Sequence, residues 1–129
     1  AVEVIIKSHG YLPKQVSVMS SSEAELLKYY SNVFNAMRII FANEIYEVAK
    51  SVGADYTKVK EAFIKYSGIQ DIYLNVNDNF RGYAGVCLPK DVKAMAFLCK
   101  EKGLNMNLFQ TLDTENDKFV KTAFEGMRK

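Results

Sequence analysis

The chain has 129 residues, of which 49% are hydrophobic, and this is typical of one compact domain that buries its own core. Its 17 basic and 15 acidic residues are interspersed and leave a net charge of +2, so no basic face is predicted for nucleic acid or a membrane surface. No apolar stretch reaches the roughly 18 to 20 residues of a bilayer span, and Cys87, Cys99 and His9 are too few for a disulfide framework or a metal site. We therefore expect a cytoplasmic protein without a metal, a nucleic-acid partner or a membrane.

The first 20 residues have the pattern of the end of a neighbouring domain. Residues 1–9 place apolar side chains at helical spacing before Gly10, and residues 16–19 form a short β-prone run. A single strand has no partner in an otherwise helical chain, so we expect it to belong to a sheet outside this sequence. The pattern predicts a fragment whose own domain begins near residue 21.

A long helix is predicted from residue 23 to residue 51. Ser22 and Glu25 have the Ser-x-x-Glu spacing of a capping box. Apolar residues follow at helical spacing: Leu26, Leu27, Tyr30, Phe34, Met37, Phe41, Ile45 and Val48. Ile39 and Ala42 lie outside this stripe, which favours burial of the helix on more than one side. We therefore expect a homodimer in which the partner subunit covers part of the helix.

A helical hairpin and a long loop are predicted next. Gly53 ends the long helix, Asp55 caps a short second helix, and Gly68 ends that helix. Residues 69–88 lack helical period and are rich in Asn, Asp and Gly. A loop of about twenty residues is longer than a compact domain usually tolerates without a function. This loop is the predicted location of the chemistry.

Two further helices complete the prediction. Pro89 suits the first position of a third helix, which continues to Gly103, and a fourth helix is predicted over residues 107–127. The fold class is therefore mainly α, with a long central helix, a helical hairpin and two further helices.

Cys87 is the first candidate for chemistry. It stands before the Leu-Pro that opens the third helix, and a helix N-terminus, like the nearby Lys90, stabilises a thiolate. A thiolate in that position can attack a carbonyl and hold a covalent intermediate. The alternative is a buried cysteine that acts as a small hydrophobic residue, and Cys99, next to Leu98 in the middle of a helix, is predicted to be that case.

The same loop contains a pair of glycines. Gly82 and Gly85 flank two residues and permit the backbone to turn tightly and to approach a ligand closely, although an ordinary connecting loop would look the same. No Gly-x-Gly-x-x-Gly element occurs in the chain, so no dinucleotide-binding turn is predicted within it.

The long helix carries two polar pairs. Lys28 and Asn32 are four residues apart, so they share one face and can reach the same ligand atom, or else they are a solvated lysine and an incidental neighbour. Asn43 and Glu44 interrupt an apolar stretch, and we favour a hydrogen-bonded subunit interface over a contact in the site.

These elements, taken together, resemble the UDP-glucose and GDP-mannose dehydrogenase family. The run Glu-Ala-Glu-Leu-Leu-Lys-Tyr-Tyr-Ser-Asn over 23–32 matches that family's Glu-Ala-Glu-Leu-x-Lys-Tyr-x-x-Asn helix, and residues 82–91 match its Gly-Tyr-Gly-Gly-x-Cys-Phe-Pro-Lys-Asp loop. The likeness extends over about residues 16 to 120. It implies that residues 1–20 are the remnant of a Rossmann-type NAD-binding domain. Residues 21–129 would form the central helical domain, similar to the C-terminal domain of 6-phosphogluconate dehydrogenase.

The resemblance implies an enzyme that oxidises the C6 alcohol of a nucleotide sugar to a carboxylate, with NAD bound mainly by a domain absent from this chain. Cys87 would form a thiohemiacetal and then a thioester, which water hydrolyses. Lys28 and Asn32 would stabilise the oxyanion, Asp91 would position or deprotonate the water, and Lys90 would keep the local field positive. The isolated chain is accordingly predicted to be inactive.

The loop also departs from the family's pattern. The resemblance assigns the substrate-binding backbone to Gly82, Tyr83 and Gly85, but Ala84 replaces a family glycine between them. Asp71 stands where the family usually has an arginine, so one contact to the nucleotide sugar is expected to differ. Which nucleotide or sugar is bound is left open.

Two other interpretations are compatible with parts of the sequence. One is a helical dimerisation module whose catalytic residues are vestigial. The other is a domain of the related 3-hydroxyacid or 6-phosphogluconate dehydrogenases, which have a similar Lys-x-x-x-Asn spacing. Those enzymes transfer a single hydride without a thioester, so they have no need of Cys87.

Overall fold

The computed structural model describes residues 17–119, which form four helices. They are α1 (Ser21–Ser51), α2 (Tyr56–Ser67), α3 (Cys87–Glu101) and α4 (Leu108–Asp117). The part described contains no strand, only an isolated antiparallel bridge between Asn77 and Phe80 in the loop before α3. The predicted mainly α fold with a long central helix is confirmed.

The N-terminal predictions lie largely outside the described residues. The helix predicted over 1–9 and the first residue of the strand predicted over 16–19 are not covered. Residues 17–19 are irregular, and Val18 is 98% exposed, because no strand in the described range is available to pair with them. The last helix, predicted over residues 107–127, is shorter than expected: it ends at Asp117, and residues 118 and 119 already lie outside it. The predicted part beyond residue 119 falls outside the described range.

The capping box of α1 lies two residues before its predicted position. Ser20 is the N-cap: its Oγ accepts from the Glu23 N–H at 3.3 Å, and the Glu23 carboxylate accepts from the Ser20 N–H at 2.7 Å. The predicted box between Ser22 and Glu25 is wrong, because α1 begins at Ser21 and Ser22 is already inside the first turn. Hydrogen bonding of the Glu23 carboxylate to the backbone and then to the side chain of Ser20 lowers the pKa of Glu23.

The helical hairpin is formed as predicted. Asp55 caps α2 by accepting from the N–H groups of Thr57 and Lys58 at 2.9 and 3.3 Å. Gly68 ends α2 in the left-handed conformation with φ 71° and donates its N–H to the Ile64 carbonyl. The short connection between Ser51 and Tyr56 brings α2 back along the second half of α1.

Two apolar clusters lie along α1. The first joins α1 to α3, α4 and the loop before α3 through Val33, Ala36, Ile40, Tyr83, Val92 and Leu112. The second joins α1 to α2 and the same loop through Ala42, Ala49, Tyr56, Leu74 and Val76. Cys99 is 5% exposed, which confirms its predicted place in the core. Because α1 crosses both clusters, it is the scaffold on which the loop and α3 are placed.

None of the helices within residues 17–119 combines the length and the apolar character needed to cross a membrane.

Candidate active site

Cys87 is the first residue of α3. The N-cap, Val86, has no side chain that can accept from the first helical N–H groups, and Cys87 itself is exposed and free of any disulfide. The prediction that Pro89 opens the helix is wrong by two residues. Pro89 is still tolerated in the first turn, where its missing N–H would have had no helical partner. The thiol consequently lies directly at the positive end of α3.

Asn32 and Asp91 join α1 to α3. The Asn32 Nδ2 donates to Asp91 Oδ2 at 2.6 Å, and the Asp91 side chain is completely buried. The other oxygen, Oδ1, has no hydrogen-bond partner within the described residues, and the exposed Lys90 Nζ lies 3.9 Å from it. Cys87 precedes Asp91 by four residues, so the thiol and the carboxylate share one face of α3.

Lys28 lies one turn before Asn32 on α1, as predicted, but is exposed. Its Nζ lies 5.8 Å from the centroid of the Tyr29 ring. No hydrogen bond or ion pair joins Lys28 to Asn32, Asp91 or Cys87 in the part of the chain described. The structure therefore brings Asn32 and Asp91 together and leaves Lys28 beside them on the surface.

The glycine loop is folded tightly onto the core. Gly82 and Gly85 both have left-handed backbone, with φ of 57° and 89°. Tyr83, between them in sequence, is 2% exposed, and its hydroxyl donates to the Leu112 carbonyl at 3.4 Å. Burial, reinforced by Asp113 and Asp117, raises the pKa of the Tyr83 phenol well above its usual value. The Tyr83 side chain is thus part of the first apolar cluster.

Asp71, predicted to change a contact to the nucleotide sugar, and Arg81, at the end of the same loop, both have partners inside the chain. Asp71 pairs with Lys60 at 2.8 Å, and the same Lys60 Nζ donates to Asn75 at 2.5 Å. Arg81 pairs with Glu47, and its guanidinium lies about 5 Å from the rings of Tyr46 and Phe119.

A family model decides the assignment of the chain. The model described as "UDP-glucose/GDP-mannose dehydrogenase family, central domain" matches residues 22–118. The chain belongs to this family. The match covers α2, α3, α4 and all of α1 except its first residue, so it includes both the Asn32 helix and the Cys87 helix.

Curated proteins similar to this family member are nucleotide-sugar dehydrogenases. A GDP-mannose 6-dehydrogenase of Pseudomonas putida is 35% identical over 106 residues, which are 79% of this chain and 23% of that protein. The UDP-glucose 6-dehydrogenase TuaD of Bacillus subtilis is 30% identical over 118 residues, 92% of this chain and 25% of that protein. The chain therefore spans about a quarter of the length of these relatives.

Two buried asparagines that shape this UDP-glucose/GDP-mannose dehydrogenase domain were either assigned to a different role from the sequence or not predicted at all. Asn43, assigned to a subunit interface, is instead buried within the chain: its Nδ2 donates to the Ile39 carbonyl and its Oδ1 accepts from the Gly82 N–H. Asn116, which pairs with the Tyr83 backbone, was not predicted, because its neighbours on α4 are also polar and the sequence does not distinguish it from them. The sequence can indicate a buried polar side chain only where a polar residue interrupts an apolar stretch. Of the two asparagines, only Asn43 lies in such a stretch.

Proposed function

We propose that this chain is the thiol-bearing central domain of an NAD-dependent nucleotide-sugar 6-dehydrogenase that oxidises the C6 alcohol to a carboxylate. The hydrogen bond between Asn32 and Asp91 carries the proposal. It unites the helix that holds Lys28 and Asn32 with the helix that begins at Cys87. Both helices match the same family model, and relatives of this chain are dehydrogenases of UDP-glucose and GDP-mannose.

NAD would be held mainly outside these residues. Neither the sequence nor the described helices provide the strand, glycine-rich turn and helix that bind a dinucleotide. The residues present therefore do not fit that cofactor, and this chain would contribute the nucleophile, the groups that stabilise the oxyanion and the carboxylate that serves hydrolysis. The isolated chain is proposed to be inactive, and formation of NADH from NAD and either nucleotide sugar by the purified chain would contradict this.

Cys87 would act as the nucleophile. At the aldehyde stage its sulfur attacks C6, a carbon–sulfur bond forms, and the carbonyl electron pair moves onto oxygen. Lys28 Nζ and the second N–H of Asn32 Nδ2 would stabilise that oxyanion, since Asn32 uses one N–H for Asp91. Lys90, exposed beside Cys87, adds positive charge to the same region.

Asp91 would serve the hydrolysis that follows oxidation of the adduct to a thioester. In that step water attacks the acyl carbon, the carbon–sulfur bond breaks, and Cys87 leaves as a thiolate. The buried Asp91 Oδ1 accepts no hydrogen bond from the described residues, so it is the carboxylate oxygen that we propose accepts from the attacking water. The backbone of Gly82, Tyr83 and Gly85 is proposed to adjoin the sugar, with the Tyr83 ring buried behind it.

Thiol reactivity tests this proposal. If Cys87 is merely exposed, it reacts in the folded protein no faster than in the chain unfolded in urea. If the helix N-terminus activates it, it reacts faster in the folded protein than in the unfolded chain. Iodoacetamide labelling, resolved by peptide mass spectrometry, compares Cys87 in both states with buried Cys99 as the internal reference. Folded Cys87 should exceed its unfolded rate near neutral pH. An equal or lower rate would reject the assignment as a nucleophile.

A homodimer through α1 is the second part of the proposal. Tyr30, Phe34, Phe41 and Val48 are between 41% and 71% exposed, and at about 100° per residue they fall on one face of the helix. Large apolar side chains aligned on one exposed face favour cover by another molecule. The same stripe also favours the alternative function, a dimerisation module with vestigial catalytic residues. The labelling experiment separates the two functions, because a vestigial Cys87 would show no activation.

A further inference from the structure

Two buried asparagines from different helices hold the loop that leads to Cys87. On α1, Asn43 Oδ1 accepts from the Gly82 N–H at 3.2 Å. On α4, Asn116 Oδ1 accepts from the Tyr83 N–H at 2.8 Å, and Asn116 Nδ2 donates to the Tyr83 carbonyl at 2.9 Å. We call these three hydrogen bonds the amide clamp.

The clamp is fully desolvated and specific in geometry. Asn43 and Asn116 are 1% and 2% exposed, so an amide left without partners there would carry a large desolvation cost. Asn116 forms hydrogen bonds with both the N–H and the carbonyl of Tyr83, as the backbone of a neighbouring β-strand would. Asn43 uses its Nδ2 on the Ile39 carbonyl, which fixes the amide and aims Oδ1 at Gly82.

Gly82 is adapted to the clamp. Its φ of 57° is a conformation that residues with a side chain rarely adopt. A Cβ at this position would lie 2.9 Å from Asn116 Oδ1 and 3.3 Å from the Cβ of Phe119. The absence of a side chain at Gly82 therefore allows Asn116 to approach the backbone.

Cys87 lies midway between two fixed residues. Tyr83, held by the clamp, is four residues before it, and Asp91, held by Asn32, is four residues after it. The N-cap Val86 makes no side-chain hydrogen bond that would set the start of α3 locally. Because α3 has no local side-chain cap, the direction in which the loop leaves the clamp determines the position of Cys87, the first residue of α3.

We propose that Asn116 and Asn43 are positioning residues that, through Gly82 and Tyr83, place the Cys87 thiol at the N-terminus of α3. This inference rests on the proposed function of Cys87 as the nucleophile. Neither asparagine touches the reacting atoms. Their effect is on the geometry of the first turn and hence on the stabilisation of the thiolate.

The experiment uses Asn116→Ala in the full chain with two readouts. Amide hydrogen exchange at Gly82 and Tyr83 reports the clamp itself, and the pH profile of Cys87 alkylation reports the position of the thiol. Ile64→Ala, which weakens the second apolar cluster at α2 and removes none of the three hydrogen bonds of the amide clamp, is the control for a general loss of stability. If Asn116→Ala fails to fold, Asn43→Ala, which removes the bond to Gly82, is read in the same way.

The expected result is loss of protection at Gly82 and Tyr83, with alkylation of Cys87 slowed about two- to fivefold near neutral pH. Ile64→Ala should leave both readouts of the loop unchanged. Retained protection would overturn the clamp, and lost protection with an unchanged alkylation profile would overturn the positioning role. If Cys87 of the wild-type folded chain is alkylated no faster than in the unfolded chain, the proposed function is rejected. Hydrogen exchange at Gly82 and Tyr83 does not depend on that function, so the two failures can be distinguished.

Discussion

Asn32 donates to Asp91 at 2.6 Å, and this one hydrogen bond connects the two helices that carry the predicted catalytic residues. Asp91 is completely buried, whereas the side chain of Lys90, whose Nζ lies 3.9 Å from Asp91 Oδ1, is 61% exposed. The amide of Asn32 is therefore the principal partner of a buried carboxylate. Its removal should affect folding as well as chemistry.

Asn32→Ala should destabilise the chain by about 2 to 4 kcal/mol, because it leaves the Asp91 side chain buried without its hydrogen-bond donor. Urea unfolding followed by circular dichroism measures the change. The control is the double variant Asn32→Leu with Asp91→Leu, which removes both polar groups and should recover most of the loss. Equal losses in the single and double variants would show that burial of an unpaired Asp91 is not the cause.

Ser20→Ala should lower the free energy of unfolding by about 1 kcal/mol, because it removes the acceptor for the Glu23 N–H at the start of α1. Ser22→Ala is the matched control, since Ser22 lies inside the first turn of the same helix and is not the N-cap. Thermal unfolding of the two variants side by side measures the difference. A larger effect for Ser22→Ala would place the cap where the sequence pattern alone had suggested it.

Local sequence signals located the helices well and their starts less well. Asp55 and Gly68 act within a few residues, so the hairpin was predicted correctly. Two Ser-x-x-Glu pairs overlap at the start of α1, and spacing alone cannot choose between Ser20 and Ser22. Pro89 is compatible with any position in the first turn, so it could not show that α3 begins at Cys87.

The site was predictable to the extent that its residues belong to short motifs. The run from residue 23 to 32 and the loop from residue 82 to 91 were found together, and the structure joins them through Asn32 and Asp91. The amide clamp was not predicted, because its members are 33 and 39 residues apart and follow no local period. Contacts of that kind depend on how the helices pack against each other, and local patterns in a single sequence do not reveal that packing.

Substitution of Tyr30→Asp together with Phe41→Asp should convert the proposed homodimer into a folded monomer. The two side chains are 71% and 55% exposed and lie on one face of α1, so a charge there should cost little in a monomer and much at an apolar interface. Sedimentation equilibrium measures the state. Tyr66→Asp, at a 94% exposed position on α2, is the control and should remain dimeric. A wild-type chain that is monomeric at high concentration would contradict the interface.

Alkaline pH should destabilise the chain through the buried Tyr83. Its folded pKa is raised above the ordinary value of 10.0, chiefly by burial, so above pH 10 the unfolded chain releases this proton and the folded chain retains it. The stability that Tyr83 contributes is complete below pH 10 and is lost as the pH rises toward the folded pKa, with a slope of about 1.4 kcal/mol per pH unit.

Tyr83→Phe should flatten this alkaline loss, because phenylalanine keeps the ring in the first apolar cluster and has no proton to release. The hydroxyl bond to Leu112 is long at 3.4 Å, so the variant should lose little stability near neutral pH. Urea unfolding at several pH values between 8 and about 11.5 measures the slope. Tyr66→Phe, at an exposed position, serves as the control and should keep the wild-type slope. If Tyr83→Phe keeps that slope as well, the alkaline loss arises elsewhere, for example at Tyr46 or Tyr56, whose pKa values burial also raises.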